Sequence, residues 1–270
     1  MKQADDFCAE SDALGSLLVE LSDPEFRCRT SFKGWTIEQI LRHLHVWNLA
    51  AFQSLTDEGA ILSFLRGALP AVDSLTLPRF EERFLDGLGG VALFRAWRAF
   101  CPELAAAFRD VEPRTRVNWA GPSMSARSSI TARFMETWAH GQAIYDEFGV
   151  VRSCTDAIQN IVVLGINTYN WAFENRGLAV PAPLPEISLK APSGAVWRYG
   201  DENRRERIEG EAVEFCQVVT QTRNIADTEL KVVGANAADW MRIAQCFAGP
   251  PVDPPAAGSR WVKRGPRAIA

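Results

Sequence analysis

This sequence has no surplus of basic charge: 29 Lys and Arg stand against 33 Asp and Glu, a formal net charge of -4. Neutralising a phosphate backbone takes clustered excess cations, so nucleic acid is excluded as the main partner. No stretch reaches the roughly 18 uninterrupted apolar residues of a membrane-crossing helix. The start, MKQADDFCAE, has no apolar run behind a basic segment, so neither a membrane partner nor a secretory signal is expected. Cysteine is sparse and scattered. Cys8, Cys28, Cys101, Cys154, Cys216 and Cys246 form no CxxC pair and no dense framework, which reads as reduced thiols in a cytoplasmic protein. There is no internal repeat and no GxSxG elbow, and no cysteine has a histidine partner evident in the sequence. Asp86 to Gly90, reading DGLGG, lacks the Lys-Ser/Thr and the preceding strand of a phosphate cradle.

What is present is ordinary globular material. Hydrophobic residues make up 47% and charged residues 23% of 270 residues, and at about 150 residues per domain that length gives one to two domains. Phe7, Leu14, Leu17, Leu18 and Leu21 recur at helical spacing, so a first helix is expected over 4–21. Thr36, with Gln39 three residues on, has capping-box spacing and starts a second helix running to about Leu55. Residues 61–84, with Gly67, Pro70 and Pro78, read as a short helix plus loop. A third long helix spans Val91 to Phe108, with Pro102 as a point of kinking or splitting. The block 119–126 reads as a loop feeding a fourth helix, Arg127 to Phe148. A fifth is expected from Asp156 to Arg176, closed by Gly177. Helices in this number make a bundle, assigned to 1–180.

Pro181, Pro183 and Pro185 then change the grammar. Ile187–Leu189 and Ala195–Tyr199 alternate as strands. A helix over 212–222, a strand over 230–233 and a helix over 237–247 follow, a small α+β domain over 181–255. Residues 256–270 are expected to be a flexible tail.

Only His43, His45 and His140 are available as imidazoles. Glu136 and His140, four apart on the fourth helix, project from one face about 6 Å apart along the axis and can chelate a divalent ion. On the second helix, positions two apart point about 200° apart. His43 lies on the stripe with Ile40, Leu44 and Trp47, and His45 lies off it, so His43 is the better third ligand. Two nitrogens and one carboxylate oxygen suit zinc, with nickel, iron or manganese as alternatives, and leave a coordination position open. The residues alone also allow a plainer reading: a surface pair of Glu136 with His140, and a buried His43 satisfied by a backbone carbonyl.

GWTIEQILRHLHVWNLAA (34–51) and MSARSSITARFMETWAHGQAIYDEFG (124–149) resemble the metal-binding bundle of the mycothiol-dependent maleylpyruvate isomerase family, within the DinB-like superfamily. APSGAVWRYGD (191–201), EFCQVVTQTRNIADTEL (214–230) and WMRIAQCFAGPP (240–251) resemble the smaller C-terminal domain of a branch of that family. The resemblance implies a mainly α fold, a DinB-like four-helix bundle followed by a sterol-carrier-like α+β domain. It implies metal ligands at His43, Glu136 and His140. It also implies a low-molecular-weight thiol, mycothiol-like, as cosubstrate, and a cation from the second domain on an acidic substrate, for which Arg223 and Arg242 are the candidates. Those two, like Arg127 and Arg133 beside the ligand pair, are equally readable as surface charges.

Relatives carry Asp where this chain has Asn48 and Ala143, a change that weakens the orientation of a ligating histidine or removes a proton acceptor. His45 is a candidate general base. Trp35, Trp47, Trp138 and Trp171 are candidates for an aromatic wall. The resulting expectation is a metal-dependent isomerase or thiol transferase acting on a small acidic or unsaturated molecule, as a monomer or homodimer. The alternatives are a pathway-specific cyclase, epimerase or ring-opening enzyme of specialised metabolism, and a non-catalytic small-molecule binding module.

Overall fold

The structure, a computed structural model, describes residues 1–72 and 76–263. The chain separates into two compact units, Met1–Phe148 and a second beginning at Gly149. The expected fold class is the one observed: mainly helical, a bundle followed by a small α+β part.

In the first unit, α1 (Lys2–Leu18), the single turn α2 (Asp23–Phe26), α3 (Ile37–Thr56), α4 (Glu58–Ala68), α5 (Leu77–Phe84) and α6 (Gly90–Arg109) precede a hairpin of β1 (Arg116–Trp119) and β2 (Gly121–Ser125), which leads into α7 (Ala126–Glu147). Thr36 caps α3 as its spacing predicts: its hydroxyl accepts from Gln39 N at 3.2 Å, and Gln39 Oε1 accepts from Thr36 N at 2.9 Å. α1 and α3 each pack against both α6 and α7, which closes a four-helix bundle. Its core is Phe7, Leu14, Ile40, Leu44, Trp97, Leu104, Phe134 and Trp138, each no more than 1% exposed. Pro102 sits inside α6 without ending it.

Two expectations for this unit differ from the structure. The stretch 119–126, expected as a loop, holds the end of β1 and all of β2, which pair as an antiparallel hairpin over 116–125; the only alternating signal there is the burial of Val117 and Trp119, two residues in a four-residue strand. The stretch read as a short helix plus loop holds two helices, α4 and α5, with residues 73–75 of it outside the described residues.

In the second unit, α8 (Gln159–Asn167) and α9 (Tyr169–Glu174) precede β3 (Glu186–Lys190), β4 (Val196–Tyr199), β5 (Arg207–Glu211), α10 (Ala212–Val219), β6 (Lys231–Val233) and α11 (Ala235–Ile243). The sheet order is β4-β3-β5-β6, with β3 and β5 parallel and the other pairs antiparallel. The expected fifth helix is broken at Thr168, whose hydroxyl donates to the carbonyls of Leu164 and Gly165 at 2.9 and 3.0 Å and competes with continuation of the helix.

The boundary therefore falls at 148/149 rather than near 180. α8 packs against α10, and Tyr169 on α9 meets Trp240 edge-on at 5.0 Å. β5 was not read because RIEGE contains one apolar residue. The segment beyond 250 is also tied down: Gln221 Nε2 donates to Val252 O at 2.7 Å, Asn224 Nδ2 to Pro255 O at 2.8 Å, and Arg260 Nη1 to Gln221 O at 2.8 Å. Residues 264–270 of the expected tail lie outside the described residues.

Candidate metal centre

Glu136 and His140 sit one turn apart on α7, and α3 brings His43 to the same point. The candidate ligand atoms of these three residues all lie within 4.8 Å of one another. Glu136 Oε2 is 3.0 Å from His140 Nε2 and 3.6 Å from His43 Nε2. The two imidazole centroids are 4.8 Å apart. Side-chain exposures of 12, 20 and 11% for His43, Glu136 and His140 make the cluster enclosed yet open to a small ligand.

A fourth side chain orients the first. Glu81 on α5, buried to 1%, accepts from His43 Nδ1 at 2.7 Å and from Trp47 Nε1 at 3.0 Å on the same oxygen. With Nδ1–H committed to Glu81, loss of the second ring proton leaves the lone pair of His43 on Nε2, facing Glu136. A carboxylate holding the far nitrogen of a ligating histidine fixes its ring and tautomer and raises its basicity. His140 is held differently. Its ring stacks on Trp35, at 6.1 Å and 4° between planes, and meets Phe32 edge-on at 4.8 Å. Its Nδ1 is buried without a partner, and Ala143, three residues on, offers no acceptor.

The three groups of the cluster are shifted in different directions. Burial alone lowers the pKa of His43, but the charges and hydrogen bonds of Glu81 and Glu136 outweigh it and lift the value to about 9. Burial raises the Glu136 carboxyl, and the hydrogen bonds of His140 and His43, with the charge of Arg133, carry it well below the usual carboxylate range. For His140, burial dominates and the pKa falls. Two imidazole nitrogens and a carboxylate oxygen converging with an oriented tautomer are the donor set of a three-ligand zinc centre, so the residues fit a divalent cation.

The remaining candidates are placed as follows. His45, two residues from His43, is buried, with its ring edge-on to Phe100 of α6 at 5.7 Å, and it is not among the converging groups; burial lowers its pKa to about 4. Arg133 is buried on α7, and its Nε donates to Asn48 Oδ1 at 3.1 Å. Arg127 is exposed at the start of the same helix. Trp35 and Trp47 flank His43, with ring centroids at 5.6 and 6.1 Å, and Trp138 is buried in the bundle core. Trp171 belongs to α9 of the second unit and is 40% exposed. Arg223 and Arg242 also belong to the second unit. Arg223 is buried, with Nη1 donating to Thr222 O at 2.9 Å, whereas the exposed Arg242 is ion-paired with Asp239.

Sequence reasoning missed Glu81. The available signal was Pro78 in a first helical turn, with Leu77, Phe80 and Phe84 on one face and a glutamate among them.

A family model described as "Mycothiol maleylpyruvate isomerase N-terminal domain" matches residues 7–145. Proteins of two Mycobacterium tuberculosis strains, CDC 1551 / Oshkosh and H37Rv, both described as uncharacterised, are 35% identical over 246 residues, covering 91% of this chain and 95% of theirs. Among solved structures, the crystal structure of the mycothiol-dependent maleylpyruvate isomerase aligns with a TM-score of 0.52 at 16% identity, over 80% of this chain and 87% of that one. That likeness is one of fold.

Proposed function

The chain belongs to the family of the mycothiol maleylpyruvate isomerase N-terminal domain, and from that premise we propose that it is a zinc-dependent isomerase or thiol transferase of the cytoplasm. Its cosubstrate is a low-molecular-weight thiol such as mycothiol, and its substrate is a small acidic or unsaturated molecule. The observation that carries the reading is the convergence of His43 Nε2, Glu136 Oε2 and His140 Nε2, with His43 fixed from behind by Glu81.

A divalent cation held by these residues supplies a Lewis acid that lowers the pKa of a thiol, so that the nucleophilic thiolate exists at neutral pH. The chain's own groups do the rest. Glu81 keeps the proton of His43 on Nδ1, leaving Nε2 to bind. Trp35 and Phe32 hold the His140 ring at a fixed tilt and keep water from that side of the centre. Partial exposure of Glu136 leaves the small opening through which a thiol and an electrophilic double bond can meet.

Metal content of the purified protein, followed by thiol-dependent turnover of unsaturated acids, tests this. One zinc per chain, lost in His140→Ala together with activity, is the expected result. Metal-free protein with undiminished turnover contradicts it.

A further inference from the structure

We propose that Arg133 is a specificity-determining charge of this centre, the group that makes it select a monoanionic ligand over a neutral one; the inference rests on the metal-dependent reading above. Arg133 precedes Glu136 by three residues and His140 by seven, so all three share the inner face of α7, with Arg133 about 4.5 Å below Glu136 along the axis. The residue is 2% exposed. Its hydrogen-bond partner at Nε is neutral, Asn48 Oδ1 at 3.1 Å, itself fully buried, and its Nη2 has no partner. Among the described residues no carboxylate lies within ion-pair distance of it. A buried guanidinium without a counter-ion is costly.

Three groups act on it through space: the carboxylates of the centre itself, Glu136 and Glu81, and the Cys101 thiol, which burial keeps protonated. Those two carboxylates cancel a divalent cation. Arg133 then leaves the enclosed centre with one positive charge in excess, and a monoanion such as a thiolate removes that excess where a neutral ligand does not. The selecting feature is thus the pairing of Arg133 with an asparagine rather than an aspartate at position 48.

The test uses the cobalt(II)-substituted full chain, with ligand binding read from visible absorption and no turnover required. Thiocyanate is the monoanionic probe and imidazole the neutral one. Arg133→Met removes the charge, Arg133→Lys restores it, and Asn48→Asp neutralises it in place while keeping side-chain size. The Cys101 thiol, 3.8 Å from Asn48 Nδ2, can donate to the new carboxylate.

One unit charge a turn or so from the ligand, at the effective dielectric of a buried site, predicts that thiocyanate affinity falls roughly tenfold to a hundredfold in Arg133→Met and in Asn48→Asp. Imidazole affinity stays constant, and Arg133→Lys recovers most of the loss. Unchanged thiocyanate affinity in Asn48→Asp overturns the proposal, as does parallel weakening of both probes, which marks a structural role. Should Arg133→Met fail to fold, Asn48→Asp decides alone. Wild-type protein that takes up no cobalt removes the proposed function, and this inference with it, whereas stoichiometric cobalt with charge-blind binding removes only the inference.

Discussion

Replacing Glu81 separates orientation of a ligand from stability of the fold. In the wild type one carboxylate oxygen accepts from both His43 Nδ1 and Trp47 Nε1, at 2.7 and 3.0 Å, in a site 1% exposed. In Glu81→Gln the amide oxygen can still accept both hydrogens, so stability falls by only about 1 kcal/mol, the difference between charge-assisted and neutral hydrogen bonds. The lost charge no longer raises the basicity of His43, and zinc affinity drops by about ten- to a hundredfold, or about 1.4 to 2.7 kcal/mol. Glu81→Ala abandons both N–H groups in the interior at about 1 to 3 kcal/mol each, a stability loss of about 2 to 6 kcal/mol. Zinc titration against a competing chelator measures the first effect, and urea unfolding of the metal-free protein measures the second. Glu81→Gln that binds zinc as tightly as wild type refutes the reasoning, because it shows that the His43–Glu81 bond does not prepare the ligand.

Other consequences are open to simpler measurements. Removing the α3 cap in Thr36→Ala deletes the bond from Gln39 N and lowers stability by about 1 kcal/mol in a urea titration. In Gly165→Ala the new Cβ meets Val219 Cγ1 and Cγ2 at 3.0 Å. Overpacking of about 1 to 3 kcal/mol against a stiff β-branched side chain outweighs the helix-propensity gain of about 1 kcal/mol, so thermal unfolding shifts down. Burial pushes the Cys101 thiol up to about 12 and the Cys216 thiol well above its ordinary value near 9. Both stay protonated in the folded chain while the unfolded chain ionises. The contribution of Cys101 to stability is complete below about pH 8.5 and is lost on the way to about pH 12, at about 1.4 kcal/mol per pH unit, and Cys216 acts in the same direction. Urea midpoints at pH 8 and pH 10 check the sign.

The parts legible in the sequence are those that local chemistry dictates. The Thr36–Gln39 capping box and the 3.6-residue periodicity placed α3, and the four-residue spacing of Glu136 and His140 put both on one face of α7. The choice of His43 over His45 also followed from helix geometry, since residues two apart cannot face one point. What was not legible depends on long-range packing. Glu81 lies 38 residues from His43, on a short polar helix whose position only the folded chain defines. Asn48 reads in the sequence as a missing acid, and only its contact with Arg133 gives the substitution an electrostatic meaning. The break at Thr168 and the strand β5 escaped because side-chain competition and a single buried Ile208 are weak local signals.

X-ray absorption at the zinc edge of the loaded protein tests the central claim most directly. The account predicts a first shell of nitrogen and oxygen alone, with a two-imidazole signature, and the appearance of one sulfur at about 2.3 Å when a thiol is added. A sulfur in the shell before thiol is added, or a single imidazole, contradicts it.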